Sequence, residues 1–277
     1  MSQFIIDSYN INAVWSWQSG LGNFIHATPA FQQISAKIKR PVKIQFNSKY
    51  VAECFQDAPF LQQVSGMDDR AYERKLNPNF CDKNLVDDYE YAWWRMTGTE
   101  WKRQFPLYVD TPDLPRILEK EYLVLLNGGS KNEIRDKSPK KLTLEMMEAV
   151  LYKAHAKKIP VVFCGNKYDL ESIKEVMPDF ELYCKVVIDD IRLALSVING
   201  AKAVVANDTG LYHVACAMGK KVFVSTRTIT RRNGLPSRCI RSLHDDVTYI
   251  NDEDWAKMMD NVMTGFEQGY VELQRFL

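Results

Sequence analysis

A chain of 277 residues, 46% apolar and 26% charged, has the composition of a globular protein of one large or two ordinary domains, which excludes a disordered or collagenous chain. Thirty-six Lys plus Arg stand against 35 Asp plus Glu, a net charge of +1, so strong bulk attraction to nucleic acid or anionic membrane is not expected, although a local basic patch is compatible with it. No apolar run approaches the roughly 18–20 residues of a membrane span. The start, MSQFIIDSYN, lacks the basic-then-apolar layout of a signal peptide, and the six cysteines (54, 81, 164, 184, 216, 239) form no CxxC pair. The expectation is a cytoplasmic protein with reduced thiols.

Strand-length apolar runs alternate with helical stretches, which predicts an α/β protein with mostly parallel sheets. AVWSWQ (13–18) reads as a strand, followed by the loop SGLGN (19–23) and a helix through about Lys39. PVKIQF (41–46) is the next strand, with a helix from Lys49. The stretch 66–115 is polar and aromatic, with YEYAWWRM in its middle, and reads as irregular plus one helix. The alternation restarts at EYLVLLNGGS (121–130), a strand over 122–126 leading into a Gly-Gly-Ser loop and the basic connection KNEIRDKSPKK. A helix over about 143–157 carries Leu144, Met147, Val150, Leu151 and Ala154 on one face. IPVVFCG (159–165) and a short segment near LYCKVV are strands, and IRLALSVING is a helix that Gly200 stops. AKAVVAND, LYHVACAMG and KKVFVST complete a strand–helix–strand unit, and the amphipathic tail 253–276 is helical. The domains expected are 1–115, 116–252 and a terminal helix over 253–277, with ligands at the carboxyl ends of the strands.

The segment richest in chemistry is AVVANDTGLYHVACAMGKKVFV (203–224). A buried strand ends at Ala206, the loop is Asn207-Asp208-Thr209-Gly210, and a helix starts there. Asp208 or Thr209 caps that helix, and Gly210 lets a ligand approach the backbone. Amide N–H groups at the positive end of a helix suit a diphosphate, and His213, three residues after Gly210, reaches the same point. A sugar diphosphate would be held by amides, a hydroxyl and one imidazole, without a metal. An ordinary capped helix with a satisfied histidine fits the same residues.

NDTGLYHVACAMGKKVFV resembles the donor-site motif of the family 9 glycosyltransferases, the ADP-heptose:lipopolysaccharide heptosyltransferase group. SGLGNFIHATPAFQQI (19–34) resembles that family's N-terminal loop and helix, which normally read Gly-Leu-Gly-Asp, a few apolar residues, then Thr-Pro-Ala. NGGSKNEIRDKSPKK with the helix and VVFCG after it resembles the opening of its second domain, while 66–115 matches poorly. The resemblance implies a GT-B enzyme: two facing Rossmann-like domains, nucleotide-sugar on the C-terminal one, acceptor on the N-terminal one, and the tail helix crossing back to the first. It implies no metal and no cofactor beyond the nucleotide-sugar co-substrate. The only Asp-x-Asp, Asp252-Glu253-Asp254, reads as a helix cap.

One departure bears on mechanism. The acidic residue that closes the Gly-Leu-Gly-Asp loop is the family's proposed general base, and here that position is Asn23. An amide oxygen is far too weakly basic to take a proton from a sugar hydroxyl. His26, three residues on, is the first replacement, since an imidazole side chain as such titrates near neutral pH. Asp82, Asp87 and Asp88 are others, and a retaining mechanism or an inactive site is also compatible. Gly20 and Gly22 permit a tight acceptor-side turn, but a dinucleotide fingerprint would need a third glycine where Ile25 stands.

Gly129 and Ser130 open the second-domain loop, and Lys131, Arg135 and Lys137 follow, cations suited to a leaving diphosphate. The resemblance singles out Lys137, which precedes the Pro and helix. Arg227, Arg231, Arg232, Arg238 and Arg241 form the densest basic cluster, suited to phosphate or a polyanion, or equally to a solvated loop. Tyr89, Tyr91, Trp93 and Trp94 offer stacking surfaces or one packed helix. The expected function is transfer of a sugar from a nucleotide-diphosphate sugar to a hydroxyl on a glycan or lipopolysaccharide-like glycolipid. Two alternatives stand beside it: a phage-type glycosyltransferase acting on hydroxymethylated bases in DNA, and a non-catalytic nucleotide-sugar-binding protein.

Overall fold

The computed structural model describes residues 15–17, 20–64, 105–115, 117–129, 141–225 and 247–268. The chain forms two compact units, the first running to Asp110 and the second opening at Thr111.

The first unit is built on β1 (Trp15–Trp17), β2 (Val42–Phe46) and β3 (Leu61–Gln63), parallel in that order, with α1 (Leu21–Ile38) and α2 (Lys49–Glu53) as connections. Trp15 lies opposite Ile44, and Val42 opposite Leu61. Helix α1 is buried on every side from Phe24 to Phe31, as a helix that is apolar all round should be. Phe24 packs against Phe31, Phe46 and Phe55 with ring centroids 4.7–5.3 Å apart. Pro29 sits inside this helix and has no N–H for the Ile25 carbonyl. The Thr28 hydroxyl donates to that carbonyl at 2.7 Å and accepts the Tyr108 amide at 2.9 Å. The Thr-Pro pair therefore repairs its own helix and ties 105–110 onto it. Strand β3 was not expected; its three residues are too short to carry a period.

The second unit has six parallel strands in the order β6-β5-β4-β7-β8-β9: β4 (Leu123–Leu126), β5 (Val161–Gly165), β6 (Lys185–Ile188), β7 (Ala203–Ala206), β8 (Lys221–Ser225) and β9 (Val247–Ile250). Counted within the unit this is 3-2-1-4-5-6, the doubly wound order, which reverses direction between β4 and β7. Those two strands, Leu-Val-Leu-Leu and Ala-Val-Val-Ala, are buried at every position, as a central parallel strand covered on both faces requires. The helices are α3 (Leu144–Ala156), α4 (Lys167–Val176), α5 (Ile191–Gly200), α6 (Gly210–Ala217) and α7 (Trp255–Gln268).

Sequence periodicity missed α4 and β9. The signal for α4 is a capping box: the Asn166 side chain accepts the Asp169 amide, and Asp169 returns to the Asn166 amide. Helix α5 ends at Gly200, as expected, and packing adds a second demand there. A Cβ on Gly200 would lie 2.5 Å from the Tyr122 hydroxyl oxygen, which donates to the Val197 carbonyl. Gly219, with φ +66°, does terminate α6 in the left-handed manner. Helix α7 packs on α3, where the Trp255 indole N–H donates to the Met146 carbonyl at 3.0 Å and Met259, Val262 and Met263 are buried. Asp252-Glu253-Asp254 lies in the turn before it, where Asn251 is the residue that accepts the Asp254 amide. Among the described residues no helix is long and apolar enough to cross a membrane.

Candidate functional site

Strands β4 and β7 are each followed at once by an asparagine, Leu-Val-Leu-Leu then Asn127 and Ala-Val-Val-Ala then Asn207. These strand ends lie at the sheet's reversal point, the position at which doubly wound sheets bind ligands. Beyond β4 come Gly128 and Gly129, the latter at φ +106°, a conformation that a side chain rarely adopts. Beyond β7 come Asp208 and Thr209, then α6.

Of the two residues expected to cap α6, Thr209 is the cap: its hydroxyl accepts the Tyr212 amide at 3.4 Å. The remaining first-turn amides have no carbonyl partner within the helix and carry the positive end of its dipole. Asp208, Thr209 and Gly210 are half-buried beside them, and His213 is 6% exposed. The Asp208 carboxylate stands 3.8 Å from His213 Nε2, beyond hydrogen-bond reach, so burial dominates and pushes the His213 pKa down to about 3. At neutral pH the ring is uncharged. His213 thus offers a ligand a hydrogen bond rather than the cation that an exposed histidine would carry part of the time.

Two asparagines and an aspartate brace this reversal point, roles that motif reading did not assign. Asn207 Nδ2 donates to the Gly128 carbonyl at 2.7 Å. Asn127 Oδ1 accepts the Leu142 amide at 2.8 Å, and its Nδ2 meets Met147 Sδ at 3.1 Å. Asp169 is 2% exposed, and its Oδ2 lies 3.6 Å from where a Gly128 Cβ would stand. The readable signal was a polar residue at the end of each wholly apolar strand. Of the donor residues expected from sequence, Asp208, Thr209, Gly210, His213 and Gly129 flank this reversal point. Ser130, Lys137, Arg227, Arg231 and Arg232 lie outside the described residues, as do Asp82, Asp87, Asp88 and the Tyr89–Trp94 aromatics.

In the first unit the expected loop 20–23 is shorter than the motif suggested. Gly20 alone precedes α1, with extended φ −69° and ψ 167°; Gly22 and Asn23 are already in the helix's first turn. The Phe24 amide donates to the Gly20 carbonyl, which closes that turn. His26 is 1% exposed, and its Nδ1 lies 2.8 Å from the Gly22 carbonyl. A carbonyl accepts only, so Nδ1 carries the proton and Nε2 is the basic nitrogen of the neutral ring.

The model of glycosyltransferase family 9 (heptosyltransferase) matches residues 74–227, more than half of the chain. The match runs through 74–115, which motif comparison left poorly matched, and begins after the 19–34 motif. A comparison of the sequence with curated proteins gives no match. Among solved structures, E. coli ADP-heptose LPS heptosyltransferase II is 12% identical at a TM-score of 0.63, over 93% of this chain and 99% of that one. E. coli heptosyltransferase WaaC, solved with ADP-2-deoxy-2-fluoro heptose, is 13% identical at 0.60, over 91% of this chain and 98% of that one. TibC, an iron-containing dodecameric glycosyltransferase of enterotoxigenic E. coli H10407, is 11% identical at 0.55, over 77% of this chain and 57% of that one. These likenesses show an α/β fold of the GT-B type. With more than half of its length matched by the family model, the chain belongs to glycosyltransferase family 9.

Proposed function

We propose that this chain transfers a sugar from a nucleoside-diphosphate sugar of the ADP-heptose type to a hydroxyl of a glycan or lipopolysaccharide-like glycolipid. The observation that carries the donor side is the reversal point between β4 and β7, where the Gly128 carbonyl is held by Asn207 and the Gly128 backbone packs on Thr209, the cap of α6, the helix that carries the buried, uncharged His213. The α6 amides are assigned to the diphosphate with Gly129 on its other side, and Ser130 and Lys137 are proposed as further donor-binding residues, Lys137 to offset the charge of the leaving group. Arg227, Arg231 and Arg232 are proposed as further phosphate contacts.

The first unit takes the acceptor at Gly20 and Gly22. The glycosyl carbon is attacked by the acceptor oxygen, the C–O bond to the diphosphate breaks, and the acceptor proton passes to His26 Nε2. The Gly22 carbonyl supports that assignment by holding the other ring nitrogen protonated. Asn23, next to Gly22, orients the acceptor by hydrogen bonding. The transfer is proposed to need no metal, so turnover should survive chelation, although one solved relative, TibC, is iron-containing.

A thermal-shift series with ADP, UDP, GDP and CDP tests the donor site on wild type and His213→Ala. A nucleotide at 100 times its Kd should stabilise wild type by ~2.7 kcal/mol. Loss of that shift in His213→Ala supports the reading, and no shift with any nucleotide overturns it. A second reading draws on Asn23: a nucleotide-sugar-binding protein without turnover. Wild-type turnover sinks it, whereas activity gained only in Asn23→Asp supports it.

A further inference from the structure

We propose that Asn207 is a positioning residue of the donor site, acting through the Gly128 carbonyl to hold the Gly128-Gly129 loop and the start of α6 at a set spacing before a ligand arrives; this rests on the donor-site reading above. The residue is wholly buried at the end of the apolar strand β7. The register of β4 with β7 ends at Leu126 opposite Ala206, and the Asn207 amide makes a last backbone link to the Leu126 carbonyl at 3.3 Å. Beyond it each chain enters its loop. There the Asn207 side chain supplies one more link, 2.7 Å from Nδ2 to the Gly128 carbonyl.

The link continues into α6. A Cβ on Gly128 would stand 3.4 Å from Thr209 Cγ2, so the Gly128 backbone packs against the very side chain that caps the helix. Asn207, Gly128, Thr209 and the first turn of α6 thus form an unbroken series of contacts from one loop to the helix N-terminus. An apolar residue of similar size would serve a buried strand end without the desolvation that a primary amide suffers. What the amide adds is a directed hydrogen bond that stops the Gly128-Gly129 loop from drifting away from α6. A ligand bridging loop and helix then finds both at the right separation. The group must be a donor: a carboxylate at this position would face the carbonyl oxygen with no proton to offer.

The experiment uses the full chain as wild type, Asn207→Ala and Asn207→Asp, titrated calorimetrically with ADP, UDP, GDP and CDP at a temperature where each variant is folded. The tightest nucleotide should bind both variants about tenfold more weakly, the order of effect expected when one hydrogen bond that sets the spacing is lost. In turnover the donor KM should rise by a similar factor while the acceptor KM stays put, a split that a general loss of folded protein would not produce. Nucleotide binding equal to wild type in both variants overturns the inference and leaves the donor-site reading intact. A failure of both variants to fold also overturns it, in favour of a purely structural asparagine. Absence of binding in the wild type overturns the donor-site reading, and the inference falls with it.

Discussion

Two helices of this protein begin just beyond a parallel strand and carry a histidine in their opening turns, and they are built differently. Helix α6 starts from Thr209, whose side chain caps it, and places His213 at its fourth residue beside Asp208. Helix α1 starts from Gly20, with no side-chain cap, and its His26 turns back onto the carbonyl of Gly22 in its own first turn. Both rings are buried. In α6 the polar groups are spent on preparing the helix N-terminus, and burial keeps the imidazole neutral. In α1 the helix's own carbonyl sets the imidazole tautomer, so Nε2 is the nitrogen that takes a proton. The same local pattern therefore leaves an uncharged ring beside a capped helix start in one unit and a ring whose tautomer the backbone fixes in the other.

The largest test of this contrast is His26→Gln. Loss of a positioned base should lower kcat at least 100-fold with the donor Kd unchanged, measured by turnover beside nucleotide calorimetry. An unchanged kcat would make His26 a packing residue and dissolve the distinction.

The pH dependence of stability comes next. The folded His213 ring has its pKa at about 3 against an ordinary 6.5, so below pH 6.5 the unfolded chain takes up a proton that the folded chain refuses. The contribution is intact above pH 6.5 and is lost as the pH falls toward 3. Between pH 7 and 5 wild type should lose about 2 kcal/mol that His213→Gln does not, read from urea midpoints at the two pH values. Parallel losses in the two proteins would mean that the buried ring is not what titrates.

A smaller effect separates the two helix starts themselves. Thr209→Ala removes a cap and should cost about 1 kcal/mol. Gly20→Ser should shift stability by only a few tenths, because Gly20 has an extended backbone and open space around its Cα, and glycine and serine differ by that amount at a helix N-cap. Equal costs in urea unfolding would show that the capping hydroxyl adds nothing.

Much of this was legible in the residues. The wholly apolar strands Leu123–Leu126 and Ala203–Ala206 declared a parallel sheet covered on both faces, since alternation would have meant one wet face. The Asp-Thr-Gly loop and the small apolar residues after His213 announced a capped helix suited to an anion, because capping is chemistry between residues two or three apart. The family resemblance rested on such local strings too. Helix α4 announces itself at its start, through the local Asn166–Asp169 capping box.

What local pattern could not supply was anything that depends on chains meeting from a distance. The strand order, with its reversal between β4 and β7, is such a case, for it pairs residues some 80 positions apart. Gly200 does end its helix, and only the packed structure shows that it also makes room for Tyr122. Thr28 read as part of a motif and turned out to complete a carbonyl that Pro29 leaves bare and to hold Tyr108. The charge of His213 was decided by burial, which a sequence does not state. Residue types and short spacings determine which hydrogen bonds and turns are available; only the packed fold decides which distant partner takes each one, and how much water is left around it.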